Sequence, residues 1–361
     1  MTSPKGPLSF IDWSLFFPVI VLATLSLTTL FSLNVALFRS QLIFYAISFF
    51  IFLFFSHIHH RIIQLYWIPI YIASIILLVV VLGVGLETRG AVRWLDIFGL
   101  RIQFSEILKP FVAICFSSFL ANRNRSFQAF AQASLLLSPV VVLIFIQPDL
   151  GTAMIYVLSA LIALLVFGFP FRFFLGALVS CLALAPIGWN FLHDYQRDRV
   201  MTFIHPTGDP LGTSYNAIQS VIAVGSGMFS GKGLSEGTQS GLRFLPERHT
   251  DFIFATLSEE LGFLGGVVIF VTFGYLLYRI YRIFLNGDDT FIRVFAAFTF
   301  SFILIQFFVN VGMNMGIVPI VGVTLPFVSY GGSSLLSNFI FLGFLSSMAH
   351  DERQKAVLEI R

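Results

Sequence analysis

The sequence predicts an all-α polytopic integral membrane protein, and three observations lead to that class. Of the 361 residues, 57% are hydrophobic and 11% are charged, whereas ordinary globular domains carry about 25% charged residues. The mean hydropathy is +0.90. Apolar runs of about 20 residues, the length that crosses a bilayer as a helix, recur from one end of the chain to the other. A single soluble core cannot bury that much apolar surface.

Ten apolar runs predict about ten transmembrane helices in a single domain, 1–361. They lie at 13–33, 41–57, 64–85, 105–121, 128–147, 152–169, 172–192, 252–279, 291–313 and 327–349. A polar segment, 86–104, separates the third run from the fourth, and the long loop 193–250 separates the seventh from the eighth. Loops of that length are usually functional or disordered. Gly, Ser and Pro alternate with apolar residues in this one, so we expect it to be ordered and partly membrane-lying.

The short loops predict the orientation, because cytoplasmic loops carry an excess of Lys and Arg. One side carries Lys5, Arg61, Arg123, Arg125, Arg172, Arg279, Arg282, Arg353 and Lys355. The other side carries Arg39, Arg89, Arg93 and Arg101. Both termini are therefore predicted to be cytoplasmic, and the segments 86–104 and 193–250 to face outward.

Charge and cysteine usage exclude several other classes. The net charge of +3 is small and the basic residues are scattered, so no nucleic-acid partner is expected. Cys115 and Cys181 both lie in apolar runs, with neither a disulfide framework nor the spacing of metal ligands. The first apolar run leads into further spans without a small-residue cleavage site, so no cleavable signal peptide is predicted.

The junction between the long loop and the eighth run is the most informative stretch. Asp251 stands where polar residues give way to a long apolar helix, so its carboxylate can meet a lipid head group while water still reaches it. Charge at a bilayer is expensive and usually has a partner or a function. Two interpretations stay open, a catalytic carboxylate or a helix N-cap. Glu259 lies about 12 Å further along a helix, so we expect it to organise the bundle or line a cavity.

Two further clusters lie at membrane edges. Glu106 and Lys109 are three residues apart at the start of the fourth run, so they share a helix face and can pair. Arg93 and Trp94 precede them in the outer segment. Asp149 lies in the turn QPDLG, where an aspartate commonly bonds to backbone. A structural ion pair, an interfacial tryptophan anchor and a turn-forming aspartate are the alternatives to functional roles.

Gln196 and Arg199 begin the long loop, in the stretch DYQRDRV. An arginine beside the outer membrane face suits a phosphate or pyrophosphate, because guanidinium binds such groups bidentately. The alternative is a solvated interfacial face. The segment 319–338, between the ninth and tenth runs, carries Gly331 and Gly332, which permit backbone turns. It is either a re-entrant lining or a tight turn that closes the bundle.

Taken in order, these motifs resemble one family over nearly the whole chain. They read RWL, SEILK, QPDLGTA, DYQRDRV, DPLGTSYNAIQS, GSGMFSGKGLSEGTQS, FLPERHTDFIFATLSEELG and PFVSYGGSS. In this order they resemble the SEDS family (shape, elongation, division and sporulation) of cell-wall polymerases, and within it the elongation members. Eight ordered motifs are far more specific than one short match.

The resemblance implies a ten-span peptidoglycan glycosyltransferase of the bacterial cytoplasmic (inner) membrane, with its active site on the extracytoplasmic face. It would join lipid II, a disaccharide-pentapeptide on undecaprenyl pyrophosphate, into glycan strands during elongation and shape maintenance. The implied catalytic residue is Asp251. The expected substrate-binding residues are Arg93, Lys109, Gln196, Arg199 and Arg248. The expected supporting residues are Glu106, Asp149 and Glu259.

The chemistry of this reaction suits the residues. A single carboxylate suffices as general base when the leaving group departs as a diphosphate anion, whereas glycosidases use two carboxylates. A divalent cation, Mg²⁺ or Mn²⁺, at the pyrophosphate is compatible with this chemistry, but no ligand cluster requires one and no metal site is predicted. The outer loops carry no Ser-x-x-Lys nucleophile motif. A class B penicillin-binding protein is therefore the implied partner for crosslinking.

Two other functions stay open. A flippase for lipid II would use the same arginines, but it should need ionisable groups along a path through the midplane, and the clusters here lie at the outer edge. A non-catalytic membrane scaffold for a penicillin-binding protein would not need Asp251. Polymer, transbilayer movement or neither, measured with labelled lipid II, would separate the three.

Overall fold

The computed structural model describes residues 12–88, 91–97, 100–205, 209, 212 and 214–359, and it confirms the all-α class. The first helices are α1 (Trp13–Leu33), α2 (Val35–His57), α3 (His60–Leu65), α4 (Trp67–Val84), α5 (Phe104–Ile107), α6 (Lys109–Ala121), α7 (Phe127–Ile146) and α8 (Leu150–Phe167). The others are α9 (Phe171–Trp189), α10 (Asp194–Ile204), α11 (Tyr215–Ser226), α12 (Thr238–Gly241), α13 (Ile253–Asn286), α14 (Thr290–Asn314) and α15 (Gly332–Glu359).

Within the described residues, 9 helices are long and apolar enough to cross a membrane. They are α1, α2, α4, α7, α8, α9, α13, α14 and the part of α15 at Gly332–His350. The predicted fourth span, 105–121, is instead divided into α5 and the shorter apolar helix α6. The bounds of α1 equal the predicted 13–33, and α4, α7, α8, α9 and α14 begin and end within three residues of the predicted bounds. Helix α2 begins six residues earlier than predicted, α13 ends seven residues later, and α15 begins five residues later and ends ten residues later. Ten spans and cytoplasmic termini stay predictions.

Helix α14 lies at the centre of the bundle, where it packs against α6, α8 and α13. Its inward face is aromatic: the rings of Phe298 and Phe302 lie 5.0 Å apart, and that of Tyr156 on α8 lies 5.2 Å from Phe302 in an edge-on arrangement. Helices in a bilayer associate through such packing and through interhelical hydrogen bonds, because lipid tails are as apolar as the side chains. Polar side chains on this helix therefore need a specific reason.

Helix α13 is broken at Gly262, whose φ of 65° and ψ of −159° are not helical. Residues 263–286 alone extend about 36 Å at 1.5 Å per residue, enough to cross a hydrocarbon core of about 30 Å. The long loop binds at the break, because the amide of Phe263 donates to the carbonyl of Met228 at 2.9 Å and the amide of Lys232 donates to the carbonyl of Glu259 at 3.0 Å. The eighth span thus begins after the break, with a separate helical segment before it.

The polar segment 86–104 contains a small antiparallel sheet, which was not predicted from the sequence. Its strands are β1 (Leu86–Thr88), β2 (Ala91–Ile97) and β3 (Leu100–Ile102), in the order β1-β2-β3. The central strand contacts α4 and α5. These contacts fix the position of Arg93, which lies in the middle of β2, at this end of the bundle.

The connection between α14 and α15 is a non-helical segment, 315–331, rather than a tight turn, and it is exposed at 315–317 but buried at 323 and 325–329. Phe327 and Val328 are buried in the core. Its backbone carbonyls are satisfied by side chains of other helices: Ser26 donates to Val328 at 2.6 Å and Gln41 donates to Ser329 at 3.3 Å. Irregular backbone is tolerated at membrane depth only when protein buries it and satisfies it in this way. A segment of this length is not a tight turn, and the re-entrant interpretation stays a prediction.

Candidate functional site

The backbone before Asp251 is held by a hydrogen bond at every carbonyl from 248 to 251. The hydroxyl of Thr256 donates to residue 248 at 3.0 Å, the amide of Tyr330 to residue 249 at 2.9 Å, and the hydroxyl of Ser329 to residue 250 at 2.7 Å. The amides of Asn310 and Asn314 both donate to the carbonyl of Asp251. These donors come from α13, from 315–331 and from α14, so three separate elements determine where Asp251 lies.

The capping alternative for Asp251 does not fit the helix boundary. Helix α13 begins at Ile253 and its N-cap residue is Phe252, which makes no side-chain capping bond. Asp251 is one residue outside the position that side-chain capping requires. Its side chain is half-buried, so the carboxylate lies at the edge of the packed bundle.

Asp251 and Arg199 converge on the same point of the segment 315–331. A methyl group placed on the Cα of Gly322 would lie 3.4 Å from Oδ2 of Asp251 and 3.7 Å from Nη1 of Arg199. Gly322 has a φ of +71° and no side chain, so both charged groups can approach its backbone closely. A carboxylate and a guanidinium that meet beside one glycine can both bind a polar ligand there.

Arg199 lies on α10 and is half-buried against the ring of Tyr195, 5.5 Å from its centroid. Burial lowers the pKa of Arg199 below its ordinary value, the negative charge of Asp251 raises it, and the positive charge of Arg93 lowers it. The guanidinium stays charged at neutral pH, because arginine does not deprotonate in proteins. Arg93 and Arg199 therefore place two positive charges close to one another at this site.

Asp149 connects the same region to the small sheet. It is the N-cap of α8, where its Oδ1 accepts from the amide of Thr152 at 3.2 Å. Its Oδ2 accepts from Gln103 at 2.7 Å, and Arg93 lies 3.7 Å from Oδ1. The predicted turn aspartate is thus a helix cap that also holds Arg93. Tyr195 is anchored next to it, because its hydroxyl donates to the carbonyl of Pro148 at 2.8 Å.

The predicted pair of Glu106 and Lys109 is confirmed. Nζ of Lys109 lies 2.6 Å from Oε1 of Glu106, and both side chains are buried. Nζ also lies 5.9 Å from the ring centroid of Phe302 on α14. The hydroxyl of Tyr156 donates to the carbonyl of Ser105 beside the pair, at 3.0 Å. The pair therefore sits where α5 and α6 meet α8 and α14, at the base of the region that holds Asp149.

Two other predicted site residues make structural contacts. Gln196 is buried and its Oε1 accepts from the amide of His193 at 3.0 Å, which closes the start of α10. Arg248 donates through Nη1 to the carbonyl of Ser240. Burial lowers the pKa of Arg248, and the charge of Arg243 lowers it further. The proposed substrate contacts of Gln196 and Arg248 stay predictions.

Glu259 binds the long outer loop rather than the neighbouring spans. Its Oε1 accepts from the amide of Gln239 at 2.9 Å and lies 3.2 Å from Nζ of Lys232, and its Oε2 accepts from the amide of Ser240 at 2.9 Å. The side chain is fully buried. Glu259 therefore fixes the loop against the first part of α13, and the expectation that it organises the bundle or lines a cavity is replaced by this role in anchoring the loop.

The sequence analysis missed Asn310, Asn314 and Gly322. One signal for the first two was present, since Gln306, Asn310 and Asn314 recur every four residues in an otherwise apolar span, which places three amides on one helix face. The described residues contain no group of three or more His, Cys, Asp or Glu side chains that could hold a metal ion. A divalent cation at the pyrophosphate stays a prediction.

Comparison with known proteins points to one family. The profile of the FtsW/RodA/SpoVE cell-cycle proteins matches residues 7–354. The peptidoglycan glycosyltransferase MrdB of Escherichia coli is 45% identical over 293 residues, which cover 80% of this chain and 79% of that protein. MrdB of Helicobacter pylori is 33% identical over 338 residues, with 91% and 87% covered.

Solved structures agree with these relatives. A chain of a peptidoglycan synthase complex, described for its coordination of polymerization and crosslinking, is 30% identical, with a TM-score of 0.83 and with 95% of this chain and 99% of that chain covered. The crystal structure of the rod shape determining protein RodA of Thermus thermophilus is 28% identical, with a TM-score of 0.72 and with 95% and 97% covered.

Proposed function

The chain belongs to the FtsW/RodA/SpoVE (SEDS) family and is a peptidoglycan glycosyltransferase, and from that premise we propose that it polymerises lipid II with Asp251 as the general base. The observation that carries this proposal is the convergence of the Asp251 carboxylate and the Arg199 guanidinium on Gly322. One group can take a proton and the other can bind an anion, side by side at a half-buried surface.

In the proposed reaction the Asp251 carboxylate removes the proton from the acceptor sugar hydroxyl. The hydroxyl oxygen then forms a bond to the anomeric carbon of the donor sugar. The bond from that carbon to the pyrophosphate oxygen breaks, and undecaprenyl pyrophosphate departs with the electron pair. Asp251 afterwards returns its proton to water. General base catalysis of this kind contributes about 10²–10⁴-fold in rate.

The departing diphosphate would be bound by Arg199 and Arg93. The two guanidinium groups repel one another, because the positive charge of Arg93 lowers the pKa of Arg199. An anion between them relieves that repulsion, and charge-assisted hydrogen bonds to guanidinium are strong and directional. Lys109 is already paired with Glu106 at 2.6 Å, so we assign this pair to the support of the site, and direct binding of substrate by Lys109 stays a prediction.

We also propose a partner and a location for the reaction. The likeness to a chain of a peptidoglycan synthase complex that coordinates polymerization and crosslinking supports a class B penicillin-binding protein as the crosslinking partner. The distribution of basic residues supports an active site on the extracytoplasmic face of the bacterial inner membrane, where undecaprenyl-linked substrate and membrane lipid both reach the chain.

The test uses the purified full-length protein in detergent with labelled lipid II, with and without a class B penicillin-binding protein. We expect the parent to form glycan strands, the Asp251→Asn variant to lose about 10²–10⁴-fold of that activity, and the Asp194→Asn variant to keep it. Asp194 is the matched control, because it is an aspartate of the same outer region with a side chain that is 98% exposed.

Other outcomes would replace the proposal. Glycan strands at the parent rate from folded Asp251→Asn protein would remove Asp251 from the chemistry. Transbilayer movement of labelled lipid II in vesicles without any polymer would indicate the flippase. If the protein gave neither polymer nor movement, yet bound the penicillin-binding protein, it would be a scaffold.

A further inference from the structure

Two buried amides on the central helix α14 reach the proposed catalytic aspartate. Asn310 and Asn314 are both 0% exposed and lie one turn apart in an otherwise apolar, aromatic span. A buried amide is costly unless its hydrogen bonds are made inside the protein. Their hydrogen bonds go to the loop that carries Asp251, so the outer part of α14 is shaped around that residue.

Both amides donate to the same acceptor. Nδ2 of Asn310 lies 2.9 Å from the carbonyl oxygen of Asp251 and 2.7 Å from that of Val323. Nδ2 of Asn314 lies 3.0 Å from the carbonyl oxygen of Asp251. Asn310 thus joins the two chain segments on either side of the proposed site, since Val323 follows Gly322 directly.

The partners determine which way each amide points. Carbonyl oxygens only accept, so the amino group of Asn310 must face Asp251 and Val323. The oxygen of Asn314 accepts from the backbone amide of Ala255 at 3.2 Å, a group that only donates, and lies 3.2 Å from the hydroxyl of Ser220 on α11. A flipped Asn314 amide would place two donors together. Asn314 therefore joins α11 of the long loop, α13 and Asp251 through one side chain.

We propose that Asn310 and Asn314 are positioning residues for glycosyl transfer, which fix the Asp251 carboxylate opposite Arg199 across Gly322. The inference rests on the proposed role of Asp251 as the base. Neither asparagine is assigned to touch the substrate: each acts through the backbone of Asp251. A displacement of about 1 Å in a reacting group can cost about 10²-fold in rate, so loss of these donors reduces turnover without removing any reacting atom.

The test substitutes Asn310 by Leu, which has a similar shape but no donor, and compares it with Gln306→Leu. Gln306 is the matched control, because it is a buried amide on the same face of α14, one turn before Asn310, and its Nε2 has no hydrogen-bond partner among the described residues. We expect Asn310→Leu to lower kcat for lipid II by about 10–100-fold, with a much smaller change in KM. Gln306→Leu should keep the parent kcat.

A double-mutant cycle separates positioning from general loss of structure, since residues that act as one unit are not additive. In an Asp251→Asn background, Asn310→Leu should lower the residual rate by less than about 2-fold, because the group that it positions is already inactive. Asn310→Ser, which is smaller and cannot reach Asp251, repeats the measurement if Asn310→Leu does not fold. Folding is followed by thermal unfolding in detergent.

Three results would overturn the inference. The first is folded Asn310→Leu or Asn310→Ser protein with the parent kcat, and the second is an equal loss in Gln306→Leu. The third is an equal loss with and without the Asp251 carboxylate. Failure of the proposed function looks different, because Asp251→Asn would then itself polymerise lipid II at the parent rate.

Discussion

Asp251 and Glu259 belong to one stretch of chain, yet their carboxylates have opposite surroundings. Glu259 is 0% exposed and accepts from two backbone amides of the long loop while it pairs with Lys232. Asp251 is half-buried, and the hydrogen bonds from α14 reach its backbone carbonyl, which leaves its carboxylate beside Arg199 and Gly322.

The hydrogen-bond partners of the two residues distinguish a structural carboxylate from a reactive one. A carboxylate whose oxygens are saturated by backbone donors stabilises a fold, because the same donors would be left unsatisfied without it. A carboxylate whose main chain is fixed by hydrogen bonds while its side chain lies beside a cation is organised for a ligand. Charge alone, as read in a sequence, does not separate the two.

The largest expected effect comes from exchanging the two carboxylates for amides. Asp251→Asn should lower polymerisation by about 10²–10⁴-fold with little change in thermal stability, because asparagine keeps the size of the side chain and one of its accepting oxygens. Glu259→Gln should instead lower stability by about 1–3 kcal/mol, and reduce the rate per folded molecule far less. Parallel unfolding and lipid II assays check this, and a reversed pattern would break the comparison.

The second effect concerns the buried pair at the base of the site. Removal of either Glu106 or Lys109 should cost about 3–5 kcal/mol of stability, because an unpaired charge is left buried. The charge-swapped double variant should recover part of that loss. The matched control is Asp194→Asn, which breaks an ion pair of the same spacing, with Arg197, at a side chain that is 98% exposed, and it should leave the melting temperature unchanged. Unchanged stability with lost activity in Glu106→Gln would make the pair a substrate-binding feature.

The third effect sharpens the role of the cation beside Asp251. Arg199→Ala should raise KM for lipid II by about 10-fold or more, since a hydrogen bond to a charged group is worth about 1.5–3 kcal/mol. Arg199→Lys should be milder, because it keeps the charge but loses the planar fork. Arg199→Ala should also move the acidic limb of the pH–rate profile to higher pH, because the base loses the positive charge that favours its ionised form.

Arg197→Lys is the control for that series. Arg197 lies on the same helix but donates to the carbonyls of Trp189 and Asn190 at the end of α9, so its replacement should leave both KM and the pH profile as in the parent. Equal behaviour of the two lysine variants would return Arg199 to the solvated-face interpretation and assign the diphosphate to Arg93 and Lys109.

The smallest expected effect concerns Gly322, which lies beside both charged groups. Gly322→Ala should lose about 1–2 kcal/mol of stability, because a side chain at a φ of +71° is strained, and should also lower kcat, because its methyl group enters the space beside Asp251. Gly316→Ala is the control: its φ is +73°, but its methyl group would meet only Val221. Equal activity of the two variants would contradict a reactive space at Gly322.

The all-α membrane-protein class, the positions of most helices and the pairing of Glu106 with Lys109 could be predicted from the sequence alone. A helix that crosses a bilayer needs a long run of consecutive apolar residues, and such a run can be found in the sequence alone. The predicted run 13–33 is therefore the same as helix α1. The pair follows from a spacing of three within one helix. The family motifs likewise pointed to Asp251, Arg199 and Asp149 before any geometry was available.

The contacts among these residues depend on tertiary packing and could not be predicted from the sequence. Arg199 and Asp251 are separated by α11, α12 and the turns between them, and no local pattern specifies that both end beside Gly322. Helix α13 is broken at Gly262, where the long loop binds. The amides of this loop donate to the Glu259 carboxylate, so Glu259 anchors the loop. The contacts of Asn310 and Asn314 depend equally on three distant segments. Packing between elements far apart in sequence fixes such positions, and hydropathy carries no information about it.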